Sequence, residues 1–391
     1  MTDTDVLVQG AGMVGLTLAL GLARSGFRVT VLDARRPPVW HGGDYRLRVS
    51  AVNPASRRLL AGLGAWEGIA RARISPFHRI EAVDVSGGGR VGFDAAELGE
   101  PCLGHIVENE LIQAVLAERV REAGVDVMAP VRLADWQLGE EAVRARLEDG
   151  RRLDARLLVG ADGADSAVRE VAGIAVRETG YGQRGLVAAV STERPHGETA
   201  RQRFLPGGPL AFLPLADGRC SIVWSLPQEQ ALELLDEDED SFAAVLEDAS
   251  GGMLGAVTGV GERGAFPLRR LHAERYVADR VALVGDAAHV IHPLAGQGAN
   301  LGFMDAAALT QILSDARSRN RDPGGRAVLR RFERARRGEN LMMQAAMDGF
   351  HHAFTSESEP VVRLRSLGFQ LADSIGPLKH LFMRRAMGTR P

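Results

Sequence analysis

Asp5-Val-Leu-Val-Gln-Gly10-Ala-Gly12-Met-Val-Gly15-Leu-Thr-Leu-Ala-Leu-Gly-Leu-Ala-Arg-Ser-Gly26-Phe-Arg-Val-Thr-Val-Leu-Asp33 reads as a short apolar strand, a glycine turn, a helix from Leu16 to Ser25 and a second strand from Arg28 to Leu32. Three glycines at G-x-G-x-x-G spacing follow the first strand at once. Gly10 suits the tight turn, Gly12 lets the backbone approach a pyrophosphate, and Gly15 lets helix and strand pack closely. Asp33 ends the second strand 18 positions after Gly15, where an acid can bind a ribose hydroxyl. The glycine spacing alone is a weak signal. Both strands and the acid turn it into a dinucleotide-binding βαβ unit, for which FAD and NAD(P) remain equally open at this step.

Two later stretches repeat the device of a strand running into a glycine-flanked acid and a helix start. Ala155-Arg-Leu-Leu-Val159 ends on Gly160-Ala-Asp162-Gly163, with a helix beginning soon after. Val281-Ala-Leu-Val284 ends on Gly285-Asp286, followed by a turn containing Pro293, then Gly296-Gln297-Gly298 and a helix from near Ala299 and Asn300. A helix start offers free backbone N–H groups and the positive end of a dipole, which suits an anion or an electron-rich ring. Asp286 can accept hydrogen bonds from sugar-like hydroxyls.

Elsewhere, Tyr45 to Ser56, with Arg48 inside it, leads into a helix that closes at Gly64-Ala-Trp66. Ile80 to Phe93 alternates around Gly87-Gly-Gly89, a hairpin pattern, and Leu111 to Ala123 is an amphipathic helix. From Leu186 to Leu226 the pattern shifts to short strands (Leu186–Val190, Arg201–Leu205, Leu210–Leu213 and Ser221–Leu226), an antiparallel second domain. Gln228 to Asp248 is an acidic helical stretch with a solvated face. Asp322-Pro-Gly-Gly325 marks a linker before a basic, helical remainder in which Met342, Met343, Met347, Phe350 and Phe354 recur at helical spacing. Core packing is the favoured reading of that stripe; the sharper one is a pliable lining for a greasy substrate or a membrane-surface contact.

The 391 residues suffice for two or three units around a sizeable core, and 45% apolar with 25% charged residues is ordinary for a globular protein. Lys+Arg 47 against Asp+Glu 50 gives a net charge of -3, which speaks against nucleic acid as a partner. Cys102 and Cys220 lack metal-ligand spacing and fit unpaired thiols in a reducing cytosol. The apolar run Val6 to Ala23 carries Gln9 and four glycines and lacks a basic leader, so neither export nor a membrane span is expected.

With these motifs placed, the chain resembles the class A flavoprotein monooxygenases, and within them the ubiquinone-biosynthesis (2-polyprenylphenol) hydroxylases. The resemblance rests on Gly10–Gly15, Leu47–Ser56, Gly64–Trp66, His105–Asn109, Gly160–Gly163, Leu210–Leu215, Ser221–Leu226 and Gly285–Gly302. It implies an α/β, Rossmann-like FAD-binding domain with an inserted antiparallel-sheet substrate domain (α+β) and C-terminal helices, as in p-hydroxybenzoate hydroxylase. The expected division is 1–75, 100–180 and 275–325 for FAD, 76–99 and 181–274 for substrate, and 326–391 for the C-terminal helices.

The resemblance further implies that Gly10, Gly12 and Gly15 hold the FAD pyrophosphate and Asp33 the adenosine ribose. Arg35 is separated from Asp33 by Ala34, whereas the family more often has Glu-Arg there. Arg48 matches an arginine between the flavin and nicotinamide sites, and Glu108 stands at a flavin-contact position where many relatives carry Arg or Gln. Asp162 supports FAD and NAD(P)H, Asp286 the ribityl chain, and Pro293 with Gly296, Gln297, Gly298, Ala299 and Asn300 the isoalloxazine. The implied activity is NAD(P)H reduction of FAD, addition of O2 to give a C4a-hydroperoxyflavin, and hydroxylation of a polyprenylated phenol in ubiquinone biosynthesis. Alternatives are a hydroxylase of a soluble aromatic, a prenyl reductase, and a non-catalytic flavin-binding scaffold of a quinone-synthesis complex. Other ubiquinone-biosynthesis proteins and the inner membrane face are the implied contacts of a cytoplasmic protein. No catalytic dyad or triad is required, because the flavin carries the chemistry. His289 and His292 match no hydrolase or zinc spacing, so they read as structural and no metal is expected.

Overall fold

The apolar run before Gly10 forms strand Thr4–Gln9 (β1), which enters helix Met13–Arg24 (α1) and returns as strand Val29–Leu32 (β2). The computed structural model describes residues 3–292, 298–355, 358–360, 362–363, 365, 368 and 387–388. β1 and β2 run parallel, with Val6 opposite Val29 and Gln9 opposite Leu32. Asp126–Met128 (β3) pairs parallel outside β2, and Arg152–Gly160 (β4) lies on the other side of β1, with Gln9 opposite Gly160. Val281–Leu283 follows beyond β4, also parallel. The chain thus steps from β1 to β2 on one side and reaches β4 on the other only much later. Open α/β sheets bind ligands where such a change of direction occurs, outside the carboxyl ends of the strands. Here that point lies beside Gly10 and Ala161.

Eight consecutive residues of α1, Gly15 to Leu22, are buried. The helix lies between the sheet and helices Asn109–Glu122 and Gly298–Ser318 (α2). A helix that is apolar all round belongs inside a core, which explains the most apolar stretch of the sequence. Among the described residues no helix is long and apolar enough to cross a membrane.

The second sheet has eight strands, antiparallel at every pairing except Thr199–Leu205 with Arg79–Asp84, which is parallel. The expected hairpin appears as Arg79–Asp84 and Arg90–Asp94. One expectation changes: Leu186–Val190 is the middle of a 17-residue strand, Val176–Thr192 (β5). Its partner is another 17-residue strand, Val257–Ala273 (β6), which has no counterpart in the sequence reading. Gly180-Tyr-Gly182 mimics a turn but sits where the register with β6 shifts, between Gly180 and Arg184. In β6, Gly259, Gly261 and Gly264 break the alternation by which a strand is recognised. The domain junction expected at residue 180 falls inside β5.

A third sheet joins Val49–Val52, Gly104–Glu108 and Ser75–Phe77. The last long element is helix Arg326–Thr355 (α3). Its methionine stripe is only partly core. Phe354 is buried and stacks on Phe204 at 3.9 Å, whereas Met342 and Phe350 are exposed.

Candidate functional site

Each glycine of the first motif has its own steric situation. Gly10 has φ +112°, and a Cβ there would collide with the Ala161 carbonyl at the end of β4. A Cβ on Gly15 would collide with the Gly10 carbonyl oxygen, closer than the 3.0 Å that real Cβ atoms keep. Both are required by the fold itself. Gly12 differs, since a Cβ there meets no heavy atom within 4 Å, so its side faces open space. It is the N-cap of α1, with no side-chain cap and no acid in the first turn. The first N–H groups of α1 are therefore available to an anion.

Asp33 braces this turn. Its Oδ2 accepts from Ala11 N at 2.7 Å and its Oδ1 from Arg35 N at 2.8 Å. A carboxylate has about four acceptor positions, so both oxygens can still take a hydroxyl. Arg35 itself is exposed. Gln113, which the sequence reading did not single out, donates to Ala11 O at 2.7 Å from helix Asn109–Glu122.

The second motif meets the first at the strand ends, where Ala161 N donates to Gln9 O at 2.8 Å. Asp162 Oδ2 accepts from Val168 N at 3.2 Å. Its Oδ1, like Gln9 Oε1, is buried without a hydrogen-bond partner among the described residues. Burial raises the Asp162 carboxyl above its usual range, against hydrogen bonds led by Ser166. Two orphaned acceptors at a strand-end cleft suit a ligand that brings hydroxyl or N–H donors.

The third motif closes the same space. Gly285 has φ +60°, and a Cβ on it would lie 3.3 Å from Val14 of α1. A Cβ on Gly302, in the first turns of α2, would come within 2.5 Å of the same Val14. The starts of α1 and α2 therefore converge across one valine. Asp286 is exposed to solvent, and the protein packed around it raises its carboxyl above the usual range against the pull of His289, Arg48 and Arg269. Gly298 begins α2, Ala299 is half-buried, and buried Asn300 donates to Ala51 O at 2.8 Å and accepts from Asn53 N at 3.1 Å. Pro293, Gly296 and Gln297 lie outside the described residues.

Arg48 is exposed at the start of the third sheet, its guanidinium carbon 5.4 Å from the centre of the Phe266 ring on β6. Glu108 is 1% exposed and already engaged. Arg73 donates to its Oε2 at 2.6 and 3.0 Å, Trp40 Nε1 at 3.3 Å, and Arg46 N to its Oε1 at 3.1 Å. It holds the 40–46 segment in place. His289 is buried with Nε2 2.5 Å from Asp305 Oδ2, and buried His292 meets the Tyr181 ring edge-on at 4.9 Å. Asp305 escaped the sequence reading. Its only signal was an acid in an otherwise apolar helix face.

The sequence model of a family described as FAD binding domain (FAD_binding_3) matches residues 3–345. The ubiquinone hydroxylase UbiL of Rhodospirillum rubrum is 42% identical over 386 residues, 98% of this chain and 90% of that one. The 3-demethoxyubiquinol 3-hydroxylase of Escherichia coli K12 is 39% identical over 387 residues, 98% of each chain. Among solved structures, PqsL of Pseudomonas aeruginosa superposes with a TM-score of 0.77 at 29% identity, over 94% of this chain and 99% of its own.

Proposed function

The chain belongs to the FAD-binding-domain family, among the FAD-dependent monooxygenases of the ubiquinone-hydroxylase group, and from that premise we propose that it hydroxylates the ring of a polyprenylated phenol. The observation that carries this reading is the convergence of three strand-end motifs on one cleft. Around that cleft are open space at Gly12, two orphaned acceptors and two helix starts. Those features fit a dinucleotide that carries a pyrophosphate, sugar hydroxyls and a ring whose carbonyl edge takes up negative charge. When bound, FAD supplies electron transfer from NAD(P)H and activation of O2 for delivery of one oxygen atom.

The protein's part is to bind and orient. The N–H groups at the start of α1 receive the pyrophosphate over Gly12, while Gly10 and Gly15 keep the turn's shape. Asp33 receives the adenosine ribose, Asp286 the ribityl hydroxyls, and the start of α2 the ring. Asp162, with one buried oxygen still unpartnered among the described residues, stands at the same strand ends. Arg48, exposed beside Phe266, is poised to steer the nicotinamide. Arg35 offers a charge beside the adenosine end. Exposed Met342 and Phe350 on α3, which follow its arginine-rich first half, support contact with the quinone-bearing membrane face.

The test is purified full-length protein, assayed for bound flavin and for O2-dependent NAD(P)H oxidation. Mass spectrometry would follow short-chain polyprenylphenols and simple hydroxybenzoates in parallel. Hydroxylated prenylphenol is the expected product. Turnover of hydroxybenzoate alone would leave a soluble-aromatic hydroxylase, and protein that binds no flavin would end the reading.

A further inference from the structure

Helix α3 carries a polar stripe on the face it buries. Arg336, Asn340, Gln344 and Asp348 recur every four residues, so they share one face. The first three are 6%, 0% and 4% exposed. Burying such side chains is costly unless each finds a partner, and three of those partners, Val290, Leu301 and Asp305, belong to or closely follow the stretch that begins at Gly285.

Arg336 Nε and Asn340 Nδ2 donate to Asp305 Oδ1 at 2.7 and 3.1 Å. The other oxygen of Asp305 accepts from Gly285 N at 3.1 Å and faces His289 Nε2. Arg336 Nη2 also points at the Leu301 carbonyl, at 3.5 Å, one residue past Asn300. One turn further along, Gln344 Nε2 donates to Val290 O at 2.9 Å and to Leu271 O at 2.7 Å. Asp348 accepts from Tyr181 Oη at 2.6 Å and pairs with Arg270, and Tyr181 packs against His292.

We propose that this stripe is a positioning clamp for the flavin-facing wall. Through one carboxylate and two side-chain amides, α3 fixes the Gly285–Asp286 turn, the strand His289–Val290 and the start of α2 relative to one another. The inference rests on the reading of residues 285–292 and the start of α2 at 298–300 as part of that wall. None of the four residues needs to touch the cofactor. Arg336, Asn340 and Gln344 act through Asp305 and backbone carbonyls and Asp348 through Tyr181 and Arg270, so a helix outside the nucleotide-binding sheet sets the geometry of the cleft.

Gln344→Met keeps the side-chain length and removes both donors. The full-length apoprotein variant is titrated with FAD by fluorescence, and its melting and the visible circular dichroism of the bound flavin are recorded. The FAD dissociation constant is expected to rise about ten-fold or more, the effect of losing one or two well-placed hydrogen bonds, with altered dichroism of the bound flavin. Wild-type affinity and dichroism with a lowered apoprotein melting temperature would overturn the clamp and leave α3 as packing. Arg336→Lys, which keeps the charge facing Asp305, should bind FAD more tightly than Arg336→Met; equal affinities would also count against the proposal. If Gln344→Met does not fold, that arginine pair carries the comparison. Asp286→Ala separates the two readings. Wild-type affinity there removes the flavin wall itself, whereas loss there with wild-type affinity in Gln344→Met removes only the clamp.

Discussion

Gly12 and Gly15 are three residues apart in one motif, yet substituting each by alanine should do opposite things. Gly12 has φ −71° and ψ 176°, extended backbone open to any residue, and its added Cβ meets nothing within 4 Å. Restricting the unfolded chain stabilises by about 0.4–1 kcal/mol. Losing glycine at an N-cap costs a similar amount, up to roughly 1 kcal/mol. The apoprotein of Gly12→Ala should therefore unfold at nearly the wild-type urea midpoint. Its FAD affinity should not survive, because the methyl occupies the approach to the first N–H groups of α1. One charged hydrogen bond lost is about 1.5–3 kcal/mol, roughly ten- to hundredfold in Kd. Gly15→Ala drives a Cβ into the Gly10 carbonyl, a backbone atom that cannot rotate away. Strain of about 1–3 kcal/mol should appear in the apoprotein itself. The assay is urea unfolding of both apoproteins beside fluorescence titration with FAD. Wild-type FAD affinity in Gly12→Ala would refute the placement of the pyrophosphate on this turn.

Three further outcomes are expected. Burial alone would raise the Asp305 carboxyl, but His289 and then Arg336 outweigh it and hold it at about 2, below the ordinary 3.8. A depressed carboxyl contributes stability that is complete above pH about 4 and lost as pH falls towards 2, here about 2 kcal/mol. The stability gap between wild type and Asp305→Asn should shrink over that window, and a gap that stays constant contradicts the account. Arg73→Met strands the Glu108 carboxylate with fewer donors and should destabilise by roughly 3–5 kcal/mol, with much of the loss recovered in Arg73→Met/Glu108→Leu; a single variant within about 1 kcal/mol of wild type in urea unfolding speaks against the buried pair. Arg48→Ala removes an exposed cation–π contact and one of the positive charges acting on Asp286, so FAD should bind at most modestly more weakly while NAD(P)H oxidation falls roughly ten- to hundredfold. Unchanged turnover in stopped-flow reduction would dismiss its nicotinamide role.

What the sequence made legible was local. The β1–α1–β2 unit needs only neighbours along the chain, so Gly10, Gly12, Gly15 and Asp33 could be placed from their spacing together with the two flanking strands. The other two strand-end motifs were recognisable as devices, but nothing in the sequence shows that Val14 would bring Gly285 and Gly302 together. β6 was invisible because its pairing with β5 is long-range and its glycines erase the alternation. Asp305 and Arg336 lie 31 residues apart on different helices, and only packing reveals that each is the other's reason for being buried. Glu108 shows the converse limit. Its motif position was legible, but the donors that engage it, Arg73, Trp40 and Arg46, come from remote turns.

The two 17-residue strands also bear on how such a protein can diversify. β5 starts and β6 finishes beside the Gly285 turn, where His272 pairs with His289, and the two run side by side across the second sheet despite the register shift at Gly180–Arg184. A cut anywhere between residues 176 and 192 severs a running ladder, so the far sheet is a poor cassette for exchange between relatives. New ring specificities in this architecture should arise by point substitution along the inner faces of β5 and β6, not by shuffling of modules. A chimera joined at residue 180 should aggregate, whereas one whose junctions fall in the loop at 193–198 and its counterpart at 251–256 keeps both beams whole.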